Sequence, residues 1–168
     1  MTNASELWAT AAATPAPERA HDWSRVAERV KREHATIRAL VDDVERACRA
    51  LDEHRPGSLD RFRVAVSTLY IAFDEHLAIE EASLLPVLQA FGARGERRAV
   101  SLMSEHIEQR RVIRELTESA AGAGEDAGAI VAGARALVAS FRADMDAEDL
   151  SLEGSSPPPS LVPHEEEG

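Results

Sequence analysis

The stretch Phe73-Asp-Glu-His-Leu-Ala-Ile-Glu-Glu81 places His76 and Glu80 four residues apart in a segment that is otherwise apolar at helical spacing. Residues at i and i+4 of a helix share one face, so the imidazole and the carboxylate point the same way. Steps of three and four carry that face through Phe62, Val66, Leu69, Phe73, His76, Glu80, Ser83 and Val87. The pair therefore belongs to the apolar seam. Ionisable groups buried there are costly unless partnered. The partners have to arrive from other elements whose own seams carry polar residues.

Three further segments meet that requirement. A helix expected from Asp22 or Ser24, either of which can cap it, to His54 has the seam Val30, His34, Ile37, Val41, Val44, Cys48 and Leu51. Ser58 can cap the helix that holds the opening stretch. That helix is expected to stop between Leu88 and Phe91, with Pro86 ending or kinking it. A third, from Glu96 or Arg97 to about Ala120, repeats the pattern in Ala99, Leu102, His106, Gln109, Ile113, Leu116 and Ala120. The fourth, started by Glu125 or Asp126, reads Ile130, Ala134, Leu137, Phe141, Asp144 and Glu148.

Four such helices on short connections predict an all-α fold, an antiparallel up-down-up-down four-helix bundle. Composition agrees, since aromatics are only 4% of the chain and β-branched residues are sparse. Residues 1–21, rich in Ala, Thr and Pro, are expected to form a disordered arm, residues 22–153 the bundle, and residues 154–168 a disordered acidic, Pro-rich tail. A formal charge of −11 argues against nucleic acid or an anionic membrane surface as partner. No signal-peptide pattern or membrane-length apolar run is present, which predicts a cytoplasmic protein. The single cysteine, Cys48, reads as a small buried hydrophobe. No nucleophile with its base, phosphate loop or dinucleotide fingerprint points to an enzyme.

The seam ionisables are His34, His76, Glu80, His106, Asp144 and Glu148, at least one from each helix. Three imidazoles and three carboxylates converging in a bundle core suit iron or manganese, for which carboxylates bridge and imidazoles terminate. Taken singly, each histidine could instead be a structural one satisfied by a neighbouring acid. Their conjunction without metal would make an expensive polar core. Glu33, Glu75, Glu81 and Glu105, each one residue from a seam ionisable, are expected at solvent or helix interfaces, and Arg110 is expected to reach water.

These residues resemble the hemerythrin-like, or HHE cation-binding, family. The resemblance rests on Glu33-His34, His76-Leu-Ala-Ile-Glu80-Glu81 followed by Leu84-Leu-Pro86, Glu105-His106, and Phe141-Arg-Ala-Asp-Met-Asp-Ala-Glu148. It implies two non-haem irons, oxo- or carboxylate-bridged, or a single iron, with O2, NO or peroxide as the small ligand, or a role in iron handling. His34 and His76 would terminate one iron, His106 the other, and Glu80 and Glu148 would bridge. The chain departs from the family pattern at Asp144 and at Arg110, where histidines are usual. The second iron would then have one protein nitrogen, supplemented by Asp144 or water. The contrasting reading is a metal-poor helical interaction module with a degenerate site.

Overall fold

A computed structural model of the chain describes residues 16–89, 92–122 and 128–153. They form α1 (Ala16–Asp52), α2 (Ser58–Gln89), α3 (Gly92–Gly122) and α4 (Gly128–Ser151), with no strand among the described residues. Helix α1 packs on α2 and α4, and α3 packs on the same two, leaving α1/α3 and α2/α4 on the diagonals of an antiparallel four-helix bundle. Polar cross-links mark the alternation. Asp52 at the end of α1 pairs with Arg135 early in α4, whereas His34 meets Asp149 near the end of α4. Between α2 and α3, the Arg63 Nε–H donates to the Ala120 carbonyl at 3.1 Å, tying the start of one helix to the end of the other.

The seams face inward as their spacing requires. Ile37, Val41, Val44, Phe62, Val66, Leu69, Phe73, Ile113, Leu137 and Phe141 fill one continuous core. Cys48 lies within it, and burial holds its thiol above the ordinary range, in keeping with a small hydrophobe. Among the described residues, no helix is long and apolar enough to cross a membrane.

Several boundaries differ from those the sequence suggests. Helix α1 begins at Ala16, not at Asp22 or Ser24, so residues 16–21 of the expected arm are helical. Pro17 falls in the first turn, where its missing N–H would have had no intrahelical partner. Helix α2, by contrast, ends at Gln89, inside the expected range of Leu88 to Phe91 and three residues beyond Pro86. Leu88, buried against Ala99 and Leu102, anchors that final turn and outweighs the one lost backbone bond. Helix α3 starts at Gly92, earlier than Glu96 or Arg97. Gly92 takes the left-handed φ of 62°, and Gly95 is carried inside the helix. The capping expected of Glu125 or Asp126, like residues 1–15 of the arm and the tail 154–168, lies outside the described residues.

Helix α1 ends at Asp52, two residues before His54. There the His54 N–H donates to the Leu51 carbonyl at 2.9 Å and the Arg55 N–H to the Ala50 carbonyl at 3.0 Å, the paired bonds of a Schellman turn. His54 is the left-handed residue of that turn at φ 51°, so its position follows from backbone closure. A non-glycine residue there carries about 1–2 kcal/mol of strain. His54→Gly is therefore expected to raise stability by about 1 kcal/mol in urea denaturation. A lowered midpoint would contradict this account of the turn.

Candidate metal centre

Each helix brings its polar seam residue to one level of the bundle. His34, His76, Glu80 and His106 are each 2% exposed or less, while Glu148 is about one-third open to solvent. His34, His76, Glu80 and Glu148 can each offer a ligand atom such that all four atoms lie within 4.8 Å of one another. Glu80 sits at the middle of the group. Its Oε1 lies 3.7 Å from His34 Nε2 and 3.4 Å from His76 Nε2, and its Oε2 lies 3.3 Å from His106 Nε2. His34 Nε2 is also 3.3 Å from Glu148 Oε2.

Two atoms at this focus, His34 Nε2 and Glu80 Oε1, are buried without a hydrogen bond of good geometry. An imidazole nitrogen and a carboxylate oxygen left so, aimed at a common point, are what a cation would satisfy once the nitrogen gives up its proton. The donor set of imidazole and carboxylate, with no thiolate, fits iron or manganese.

The outer partners set which ring nitrogen faces inward. His34 Nδ1 lies 2.7 Å from Asp149 Oδ1, and His106 Nδ1 lies 3.0 Å from Glu81 Oε1. With Nδ1–H donating to those carboxylates, each Nε2 is turned to the centre. His76 differs, because its Nδ1 is buried without a partner.

Asp144 is not on the core face. It is exposed, and Met145 takes the buried position after Phe141. Gln109 Nε2–H donates to Asp144 Oδ2 at 3.4 Å, which holds the acid at the rim of the site. Arg110 is not simply extended to water. Its Nη1–H donates to Glu81 Oε1 at 2.6 Å and its Nε–H to Asp74 Oδ1 at 2.7 Å. Glu81, expected at solvent or a helix interface, supports His106, and Asp149 was not among the sequence candidates at all. A signal for both was present: Glu80-Glu81 and Glu148-Asp149 are acidic doublets. In each, the first acid faces the centre and the second turns about 100° to an imidazole of the adjacent helix.

Charge in the metal-free pocket follows from this packing. Burial works against the His34 imidazolium, but the surrounding carboxylates of Glu148, Glu80 and Asp149 overcome it and push its pKa up to about 10. His106 is likewise raised, its burial outweighed by Glu80 and Glu81. Burial would raise Glu80, but His106 and His34 hold its carboxyl down at about 2. Burial lowers His76. At neutral pH a cation must therefore displace the proton held by His34.

Beside the ligands is a cavity of about 10 Å³ lined by Phe73, Leu77, Phe141, Met145, Gln109 and the acids and imidazole of the site. Phe73 and Phe141, stacked at 3.8 Å and 12°, make its apolar wall. A groove of about 570 Å³ between α3 and α4, bordered by Arg98, Glu105, Glu108, Gln109, Asp144 and Glu148, leads from solvent to the same acids.

Comparison with protein-family models matches residues 25–153 to the hemerythrin HHE cation binding domain. Comparisons with curated proteins and with solved structures return no match.

Proposed function

Because the chain belongs to the hemerythrin HHE cation-binding family, we propose that it holds non-haem iron, two ions when fully loaded, and binds a small oxidant or gas at that centre. The observation that carries this reading is Glu80, a fully buried carboxylate with one oxygen toward His34 and His76 and the other toward His106. That arrangement suits a bridge between two cations. His34, His76 and Glu148 would complete one side, with His106 on the other and Asp144 or Gln109 at its rim.

Bound iron would supply redox chemistry and a coordination position for O2, NO or peroxide. The chain's own residues decide what arrives there. A space of about 10 Å³ is near the lower limit for one water-sized molecule, which favours a diatomic or peroxide over an organic substrate. The Phe73–Phe141 wall limits water around it. Gln109 Oε1, buried without a partner, is available to accept a hydrogen bond from a protonated ligand such as hydrogen peroxide.

Proton displacement makes the binding pH-dependent. Metal affinity is expected to rise with pH, by about tenfold per unit near neutrality as His34 yields its proton. The dependence on His34 should level off above its pKa of about 10. In the metal-free protein the sign is reversed. Stability from the raised His34 is complete below pH 6.5 and is lost as pH rises toward about 10. Competition titrations with Co(II) between pH 6 and 8 check the first statement, and an affinity independent of pH would contradict it. For the ligand, anaerobically iron-loaded protein exposed in turn to NO, O2 and hydrogen peroxide is expected to change its visible and paramagnetic spectra with at least one of them. Loaded protein that responds to none would refute gas or oxidant binding and leave iron handling.

A further inference from the structure

Behind two of the three imidazoles stands a carboxylate, and behind each carboxylate stands a guanidinium. On one side of the bundle, Arg38 Nη2–H donates to Asp149 Oδ2 at 2.8 Å, and Asp149 Oδ1 lies 2.7 Å from His34 Nδ1. On the other, Arg110 Nη1–H donates to Glu81 Oε1 at 2.6 Å, and that oxygen lies 3.0 Å from His106 Nδ1. Each arginine is also held by a second acid. Arg38 bonds Asp146 at 2.8 Å, and Arg110 bonds Asp74 at 2.7 Å. The first set joins α1 to α4 and the second joins α2 to α3. His76 has no such support.

The two sets have the same order of groups but share no residue. Arg110 occupies the place at which the family resemblance leads one to expect a histidine ligand, yet its side chain runs away from the centre to Glu81. We propose that Arg38 and Arg110 are positioning residues that set the affinity and reduction potential of the metal centre, acting through Asp149 on His34 and through Glu81 on His106. This rests on the iron-binding reading above.

The physical argument has two parts. A carboxylate anchored by a guanidinium on one edge can present its other electron pairs in a fixed direction, which fixes the imidazole ring and keeps its proton on Nδ1. The same guanidinium draws charge from the carboxylate, so the carboxylate pulls less strongly on the Nδ1 proton and the imidazole remains a neutral donor. Without the arginine, the carboxylate acts at full strength and the ring becomes a more anionic ligand. A fixed positive charge near the centre is lost as well. Both changes favour the more oxidised cation, so both lower the potential. Carboxylate ligands such as Glu80 and Glu148 favour ferric iron, and the two arginines oppose that bias and keep the reduced form accessible.

The test uses the full chain loaded anaerobically with Fe(II), with Arg38→Met, Arg110→Met and the corresponding lysine variants beside the wild type. Each methionine variant is expected to bind Fe(II) about tenfold more weakly. Its ratio of reduced to oxidised iron at a fixed poise should fall about tenfold, a shift of 59 mV for a one-electron couple. Lysine keeps the charge without the fork and should restore the potential more fully than the affinity. Asp149→Asn and Glu81→Gln provide the same readouts should a methionine variant fail to fold, and each is expected to weaken Fe(II) binding. Wild-type affinity and potential in the methionine variants would overturn the proposal while leaving iron binding intact. Lysine variants no different from methionine in potential would also overturn it, since only packing would then be at stake. A wild type that takes up no iron would overturn the functional reading itself.

Discussion

Glu80→Ala is expected to abolish cation binding, with a loss larger than the roughly 100-fold that outer partners of a metal site typically cost. The two oxygens of Glu80 lie between 3.3 and 3.7 Å from all three imidazoles. The same change should weaken the metal-free fold. Glu80 is the buried anion that balances raised imidazoles at His34 and His106, and stranding a buried charge costs about 3–5 kcal/mol. The loss should shrink at high pH, where the imidazoles can shed their protons. Metal content by mass spectrometry and urea denaturation of the metal-free variant measure the two effects separately. Retained cation in Glu80→Ala would remove this carboxylate from the centre of the site.

Phe141→Ala should be the most damaging core truncation near the centre, at about 3–5 kcal/mol. Phe141 is 1% exposed and stacks on Phe73, so truncation removes both transfer energy and the ring contact. It also opens the wall of the small cavity beside Glu80 and Glu148. The variant is therefore expected to lose both stability, read by denaturant midpoint, and exclusion of water, read as faster loss of the reduced state in air. A loss of unfolding free energy below about 1 kcal/mol would show that the bundle closes around the space.

The inward-facing residues were legible because a helix seam repeats at steps of three and four. His34, His76, Glu80 and His106 could be placed on it from spacing alone, and each is buried at the centre of the bundle. Asp144 fails for the same geometric reason. Three-residue steps fall short of a full turn, and after Phe141 the buried series moves by four to Met145 and then onward to Leu152, with the half-buried Glu148 between them. Glu81, Asp149, Arg38 and Arg110 were beyond reach of a seam reading, since it says which face points inward but not which side chain of the next helix stands at its shoulder. Helix α3 begins ahead of Gly95, whose local penalty is smaller than the burial of Ala99 and Leu102. Hydrogen bonding at the end of α1 depends on a left-handed histidine, which no propensity would select over glycine.

The most direct test of the central claim is the stoichiometry of an anaerobic Fe(II) titration of the purified chain, with His54→Ala as a variant remote from the site. A bridging Glu80 between one set of imidazoles and His106 predicts two irons per chain in the wild type and in His54→Ala, and none in Glu80→Ala. One iron would restrict the centre to His34, His76, Glu80 and Glu148. No iron bound by the wild type under these conditions would contradict the account.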